Sequence, residues 1–353
     1  MKIVHFVAQM AVGGIETMLV DIANIQVQSH DVSIVILNNI IDEAVISRLS
    51  AKIKVFKVGR QPKSQNIFYL LKCNWFLLRL MPNIIHCHAD IAHWIILNIY
   101  RTVLTVHCTS WDIASVKRYD KIFAISHSVQ DYFSRVFDIS CNKISVIENG
   151  IPCSSISNTN YSLQDSTFKI CQISRLSHQH KGQDILLKAI QILVHSHRVT
   201  NIQVDFIGDG ESKQYLQLLA KEYQIENHCN FLGAKSREYL YSILQNYHLL
   251  VQPSRFEGFG LTVVEGMVAE VPVLVTNIEG PMEIINNGEF GYSFMSEDAE
   301  SCTASILNII NQYNTPDFRD KIKRARIHAM KKYDVHNTAH RYLEEYSIIS
   351  KTR

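Results

Sequence analysis

The sequence predicts an α/β protein built from two doubly wound parallel-sheet domains, and three observations carry that prediction. Short apolar runs alternate with stretches of helical periodicity through the first 150 residues. The alternation stops at a polar, Ser/Asn-rich stretch, "ISVIENGIPCSSISNTNYSLQDS", and then begins again. The chain has 353 residues, more than one compact core usually holds. Apolar strands separated by helices belong to parallel sheets covered on both faces.

Taken in order, "KIVHFVA" is a short β-rich run, "VGGIE" a glycine bend and "TMLVDIANIQVQ" a helix with apolar residues at helical spacing. "DVSIVIL", "KIKVFKV", "NIIHCHA", "YRTVLTVHC" and "KIFAIS" are further strands, with helical stretches between them. The polar stretch is the linker candidate. Behind it come "FKICQIS", a helix from Gln183, "IQVDFIGDG", another helix, "CNFLG", "HLLVQPS", a helix from about Gly260 and "VPVLVT". The expected division is an N-terminal domain over 1–160 and a second over 161–330, with a helix over 331–353 crossing back to the first. "RDKIKRARIHAMKKY", inside the second domain, reads as a solvated basic face. Ligands of such sheets sit at the carboxyl ends of the strands, and two sheets facing each other would enclose a ligand in the cleft between them.

Composition narrows the function classes. An apolar fraction of 47% with 19% charged residues is globular, not disordered. A net charge of +2 argues against a dedicated nucleic-acid binder. Residues 1–150 hold 15 Lys/Arg against 11 Asp/Glu, and residues 151–353 hold 20 against 22. The front-half excess suits an anionic ligand or membrane surface, and equally suits ordinary surface variation. The eight cysteines form no CxxC pair and most lie in apolar runs, which reads as reduced, buried thiols in a cytosolic protein. The N-terminus shows no secretory pattern, and no apolar stretch is long enough for a transmembrane helix.

The chemistry concentrates in "RFEGFGLTVVEG", Arg255–Gly266. Glu257 falls in a strand-to-helix loop, and Gly258 and Gly260 allow the backbone close to a bound group. The amides of Phe259, Gly260 and Leu261 would point from a helix start, whose partial positive charge suits a phosphate. Glu265, roughly a turn further along, can accept hydrogen bonds from the adjacent hydroxyls of a ribose. Hydroxyls at both ends and phosphates in the middle describe a nucleotide sugar. An ordinary helix with an acidic first turn fits the same residues. In "ISRLSHQHKGQDILLKA", Arg175 follows a strand end and Lys181 stands before a helix, a pairing that suits a diphosphate clamp and fits solvated surface cations as well.

"RLSHQHKG", "IGDGES", "FLG" and "PSRFEGFGLTVVEGMVAEVPVL" resemble the C-terminal domain of family 4 glycosyltransferases, retaining enzymes of the GT-B fold with two Rossmann-like domains. "GGIE", "PNIIHCH", "TVH" and "IENG" resemble its N-terminal half. The resemblance covers nearly the whole chain, is strong over 170–285 and is thinner before 150. The E-x7-E pair is its most specific part.

The resemblance implies a donor diphosphate held by Arg175 and Lys181, Glu257 on the hydroxyls of the transferred sugar, and the amides of Phe259 to Leu261 capping phosphate and sugar. It implies Glu265 on the ribose, Gly13 and Gly14 in the loop approaching donor phosphate and acceptor, and His107 near the reacting sugar. Gly208 and Gly210 would turn near the nucleotide, and Leu232 would edge the base. Cys108 stands where the family often has Asp after the "TVH" histidine, and Pro152 where it often has Asp after "NG(V/I)". The donor expected is a UDP-sugar ahead of a GDP-sugar, with no cofactor and no metal. The acceptor is a glycan, lipid-linked glycan or lipid, in cell-surface polysaccharide or glycolipid synthesis at the cytoplasmic side. A UDP-sugar 2-epimerase-like enzyme and a non-catalytic nucleotide-sugar binder are the alternatives.

Four further features remain to be placed. His107 fits a structural role as well as a catalytic one. His86 and His88 lie on one face of a strand, but a zinc site needs a third ligand that the sequence does not show. His178 and His180 read as loop residues. "QPKSQNIFYLLKCNWFLLRLMP" is either an amphipathic helix on an anionic bilayer or a helix packed on the first sheet.

Overall fold

A computed structural model describes residues 1–353 except Val12, 110–112, Cys141, 158–166 and 352–353. The chain divides into unit 1, Met1–Pro152 with Tyr333–Arg353, and unit 2, Cys153–Lys332.

Unit 1 is built on a seven-stranded sheet: β1 (Lys2–Val7), β2 (Asp31–Asn38), β3 (Lys54–Arg60), β4 (Ile84–Cys87), β5 (Arg101–Val106), β6 (Lys121–Ala124) and β7 (Ile144–Val146). Their order is β3-β2-β1-β4-β5-β6-β7, all parallel. The strands read as near-continuous apolar runs because helices cover both faces, leaving the interior residues of β1, β2 and β5 almost wholly buried. One core, around Val7, Val32, Ile34 and Ile36, fills one face. The other combines Ile3, Ile84, Val103 and Phe123 with Tyr342 and Tyr346. Those tyrosines belong to the last helix, Val335–Lys351, which packs beside the first, Gly14–Gln26. The return is fixed by a parallel bridge between Ile151 and Asp334. The polar stretch chosen as linker begins inside this sheet, since Ile144–Val146 pairs with β6, and the division falls at Pro152.

Unit 2 repeats the plan with six strands: β8 (Phe168–Ile173), β9 (Ile202–Ile207), β10 (Cys229–Gly233), β11 (Leu249–Gln252), β12 (Val273–Thr276) and β13 (Tyr292–Phe294). The order is β10-β9-β8-β11-β12-β13, again parallel throughout. The core gathers Ile170, Val204 and Val251 from the sheet with Leu186, Leu193 and Ile306 from the covering helices. The basic run lies on the helix Pro316–Lys332, which is not simply a solvated face. It buries Phe318, Ile322, Ala325 and Ala329, and the Arg326 guanidinium donates to the Val268 carbonyl and lies 3.7 Å from Glu270. Among the described residues no helix is long and apolar enough to cross a membrane. The described cysteines are all free thiols, and all are buried except the half-buried Cys108.

Candidate functional site

In unit 2, β8 and β11 are neighbours, yet β8 continues to β9 on one side and β11 to β12 on the other. The loops leaving their carboxyl ends therefore part company, and a crevice opens where the strand order reverses. The β8 loop carries Arg175 and Lys181, and the β11 loop carries Pro253–Gly260.

Gly182 lets the two loops meet. It sits at φ +62°, and a Cβ there would lie 1.9 Å from the Pro253 carbonyl oxygen, so only glycine fits. The amides of Arg255 and Phe256 both donate to the His180 carbonyl, at 2.9 and 3.2 Å. The Arg255 guanidinium then clamps the junction. It donates to both carboxylate oxygens of Asp184 at 2.8 and 2.9 Å, to the His178 carbonyl at 2.6 Å and to Glu297 at 2.6 Å. The Asp184 bond, and after it the Glu297 bond, raises the Arg255 pKa further above its ordinary value against the opposing effect of burial.

This clamp brings Lys181 and Glu257 together. The Lys181 ammonium donates to Glu257 Oε2 at 2.8 Å, with side chains 25% and 16% exposed, so the pair is reachable but not loose. Gln252, at the end of β11, donates to the same oxygen at 3.2 Å and accepts from Thr262 Oγ1 at 3.3 Å. Beyond Glu257 the backbone turns at Gly260, at φ +111°, into the helix Leu261–Val268. No side chain caps that helix, and among the described residues the amides of Leu261 and Thr262 have no acceptor. These orphan amides and the positive end of the helix dipole lie at the end of the loop that carries Glu257. Phe259 is buried, and Phe256 is exposed.

Glu265 stands on the same helix, buried, and accepts from the Tyr241 hydroxyl at 3.1 Å. Arg175 is placed differently from its expected partner. Its guanidinium is exposed and donates twice to Glu211 Oε2, at 3.2 and 3.0 Å. A hydrogen bond from Ser177, with a smaller contribution from Arg175, pulls the Glu211 carboxyl down to about 2. Arg175 and Lys181 are thus engaged by different carboxylates. Gly208 and Gly210 form the turn after β9; the Gly208 amide donates to the Gly233 carbonyl, next to Leu232, at 3.0 Å. His178 and His180 lie in the short helix His178–Lys181 instead of a loop, with His178 Nδ1 2.8 Å from Ser212 Oγ.

In unit 1 the reversal falls between β1 and β4. Gly13 and Gly14 follow β1, with Gly14 opening the first helix, while His107 follows β5. His86, on β4, is paired in register with His5 on β1. His5 supplies the third imidazole that the sequence did not show beside His86 and His88. Hydrogen bonds already occupy this cluster. His5 bonds His88 at 3.0 Å and Gln26 at 2.8 Å, and His86 bonds Thr105 at 2.7 Å and the Tyr346 hydroxyl. One ring nitrogen of each of His5, His86 and His88 lies within 4.8 Å of the others, and both nitrogens of His5 and of His86 are already hydrogen-bonded. His107 stacks on His88 with centroids 6.0 Å apart. Burial lowers all four, His5 to about 4 and His107 to about 3, so the cluster is neutral at pH 7.

Sequence reasoning missed Arg255, Asp184 and Gln252. Arg255 had a visible signal, as a cation two residues before Glu257 in a loop. Its carboxylate partner lies 71 positions away and had none.

Residues 12–155 match the family described as Glycosyltransferase Family 4, and residues 158–328 match Glycosyl transferases group 1. An uncharacterized glycosyltransferase of Methanocaldococcus jannaschii, MJ1607, is 24% identical over 300 residues, covering 75% of each chain. The O-antigen chain mannosyltransferase RfbU of Salmonella typhimurium is 25% identical over 195 residues, 55% of this chain and 52% of that protein. Among solved structures, Anabaena Alr3699/HepE in complex with UDP superposes with a TM-score of 0.80 at 20% identity, covering 99% of this chain and 100% of that one. That likeness identifies the two-domain, Rossmann-like GT-B fold.

Proposed function

Because the chain belongs to glycosyltransferase family 4, we propose that it moves a sugar from a nucleoside diphosphate sugar to an acceptor hydroxyl, with retention at the anomeric carbon. The favoured donor is a UDP-sugar, a choice supported by the UDP bound in the Anabaena structure. The acceptor class is a glycan, lipid-linked glycan or lipid of surface polysaccharide or glycolipid synthesis, in keeping with the O-antigen mannosyltransferase among the relatives.

One observation carries this reading. At the switch point of unit 2, Lys181 and Glu257 meet at 2.8 Å beside an uncapped helix start. A diphosphate entering there accepts hydrogen bonds from Lys181 and from the amides at Gly260 and Leu261, which releases Glu257 to accept from the sugar hydroxyls. Arg175, exposed and ion-paired with Glu211, swings to the second phosphate. Glu265 binds the ribose, and Gly208, Gly210 and Leu232 border the nucleotide. Gly13 and Gly14 are assigned to the loop approaching the donor phosphate and the acceptor, and His107 to the reacting sugar.

In the transfer step the bond from the anomeric carbon to the phosphate oxygen breaks, and its electron pair stays on the leaving diphosphate. The acceptor oxygen bonds to the same face of that carbon, and its proton passes to a leaving phosphate oxygen. Lys181, Arg175 and the helix terminus neutralise the charge that develops, so the proposal needs no metal. The protein contributes position and charge more than covalent chemistry.

A panel of UDP- and GDP-sugars tests this, with nucleotide release followed with and without lipid and glycan acceptors and the anomeric configuration of the product read by NMR. Acceptor-dependent release of UDP with a retained configuration is expected. An inverted product, or an epimerised sugar formed without acceptor, would overturn the reading.

A further inference from the structure

The helix Ile67–Leu80 in unit 1 is apolar on two sides. Its inner side buries Cys73, Asn74 and Leu77 against β2 and β3. Its outer side exposes Phe68, Leu71, Trp75 and Leu78 at 61%, 56%, 52% and 47%, spaced by three, four and three so that they form one stripe. Ile67 and Met81 extend it at either end, at 65% and 56% exposed. Asn74 widens the patch sideways. It bonds the Trp94 carbonyl and the Ile96 amide, both at 2.9 Å, and so holds the exposed Ile96 beside the helix. Scattered exposed apolar residues need no explanation, but a contiguous stripe marks an interaction site.

The charges around the stripe choose the occupant. Between Glu43 and Asp90 the chain has no acidic residue and eight Lys or Arg. Arg79 stacks on Trp75 at 4.9 Å, so its aliphatic stem lines the stripe, while Lys72, 5.8 Å from the Phe76 ring, donates to the Val58 carbonyl of β3. Lys63 stands in the exposed turn just before the helix, while Lys54 and Lys57 on β3, an edge strand, are paired with Asp31 and Glu43. A second copy of the chain would set this cationic rim against itself. An apolar stripe with a boundary tryptophan and a rim of cations fits a bilayer carrying anionic headgroups.

We propose that this face seats unit 1 on an anionic membrane surface, the stripe entering the headgroup–acyl boundary and the rim meeting lipid phosphates. The proposal goes beyond the sugar-transfer reading and does not depend on it. It is tested by binding alone: the full chain is sedimented with vesicles of phosphatidylcholine, or of phosphatidylcholine with phosphatidylglycerol.

Pelleting with the anionic vesicles only, weakened by added salt, is expected. The double variant Phe68→Ser/Trp75→Ser, altered only at exposed positions, loses more than about tenfold in affinity with an unchanged circular dichroism spectrum. Lys63→Gln/Arg79→Gln loses about fivefold per charge removed. Equal recovery in the supernatant with both vesicles overturns the proposal, as does pelleting indifferent to the Phe68/Trp75 change. A dimer in sedimentation velocity that this change abolishes would assign the stripe to a second copy and overturn it equally.

Discussion

The two switch points of the molecule share a strand order and differ in what they place there. In unit 1 the β1–β4 junction holds four buried histidines, closed in by Gln26, Thr105 and Tyr346. In unit 2 the β8–β11 junction holds Lys181 and Glu257, partly open to solvent and framed by Gly182 and Gly260. Chemistry follows accessibility more than the number of polar groups. His5 and His86, neutral and with both nitrogens engaged, act as a polar rivet, and His86 fastens the last helix to the sheet through Tyr346. A charged pair beside orphan amides can exchange its partner for a ligand.

The largest expected effect breaks the contrast on the unit 2 side. Lys181→Ala removes the ammonium without touching the core, and transfer falls about 10²–10³-fold with an unchanged unfolding midpoint. Activity surviving that change would end the clamp assignment. Arg255→Gln sharpens the contrast, because it leaves Lys181 and Glu257 in place and removes only their scaffold. The Michaelis constant for the donor is expected to rise about tenfold, equivalent to ~1.4 kcal/mol, and the unchanged constant of an Arg255→Gln enzyme would show the junction to be rigid without it.

The smaller effects belong to unit 1. Its histidines are depressed below 6.5 in the fold and ordinary when unfolded. The unfolded state therefore binds more protons as pH falls. Stability is fully present above about 6.5 and is lost on the way down toward 4 and 3, by on the order of 1 kcal/mol per pH unit for each histidine. Trp75, Trp94 and Trp111 all precede Pro152 in sequence, so tryptophan fluorescence in urea follows unit 1, and a midpoint flat between pH 7 and 4.5 would contradict the burial of the cluster. Tyr346→Phe deletes one hydrogen bond to His86 and is expected to cost about 1 kcal/mol by the same measurement, with donor affinity unchanged.

Much of this was legible because the signals are local. Apolar runs of strand length gave the parallel sheets, and Gly258, Gly260 and Glu257 announced a strand-to-helix loop within six residues of "HLLVQPS". The helix Ile67–Leu80 was less legible. Its composition fits both packing and exposure, and the fold uses it both ways, burying Leu77 and exposing Trp75.

The sequence alone determined the fold class, the alternation of strands and helices and the positions of the glycine turns, since each rests on residues a few places apart. The tertiary structure decided which charges and rings meet. Lys181 finds Glu257 76 positions away, Arg255 finds Asp184 and leaves Arg175 to Glu211, and His86 receives Tyr346 from 260 positions on. Such partners are set by strand order and by the return of the last helix, and no local propensity specifies which strands become neighbours.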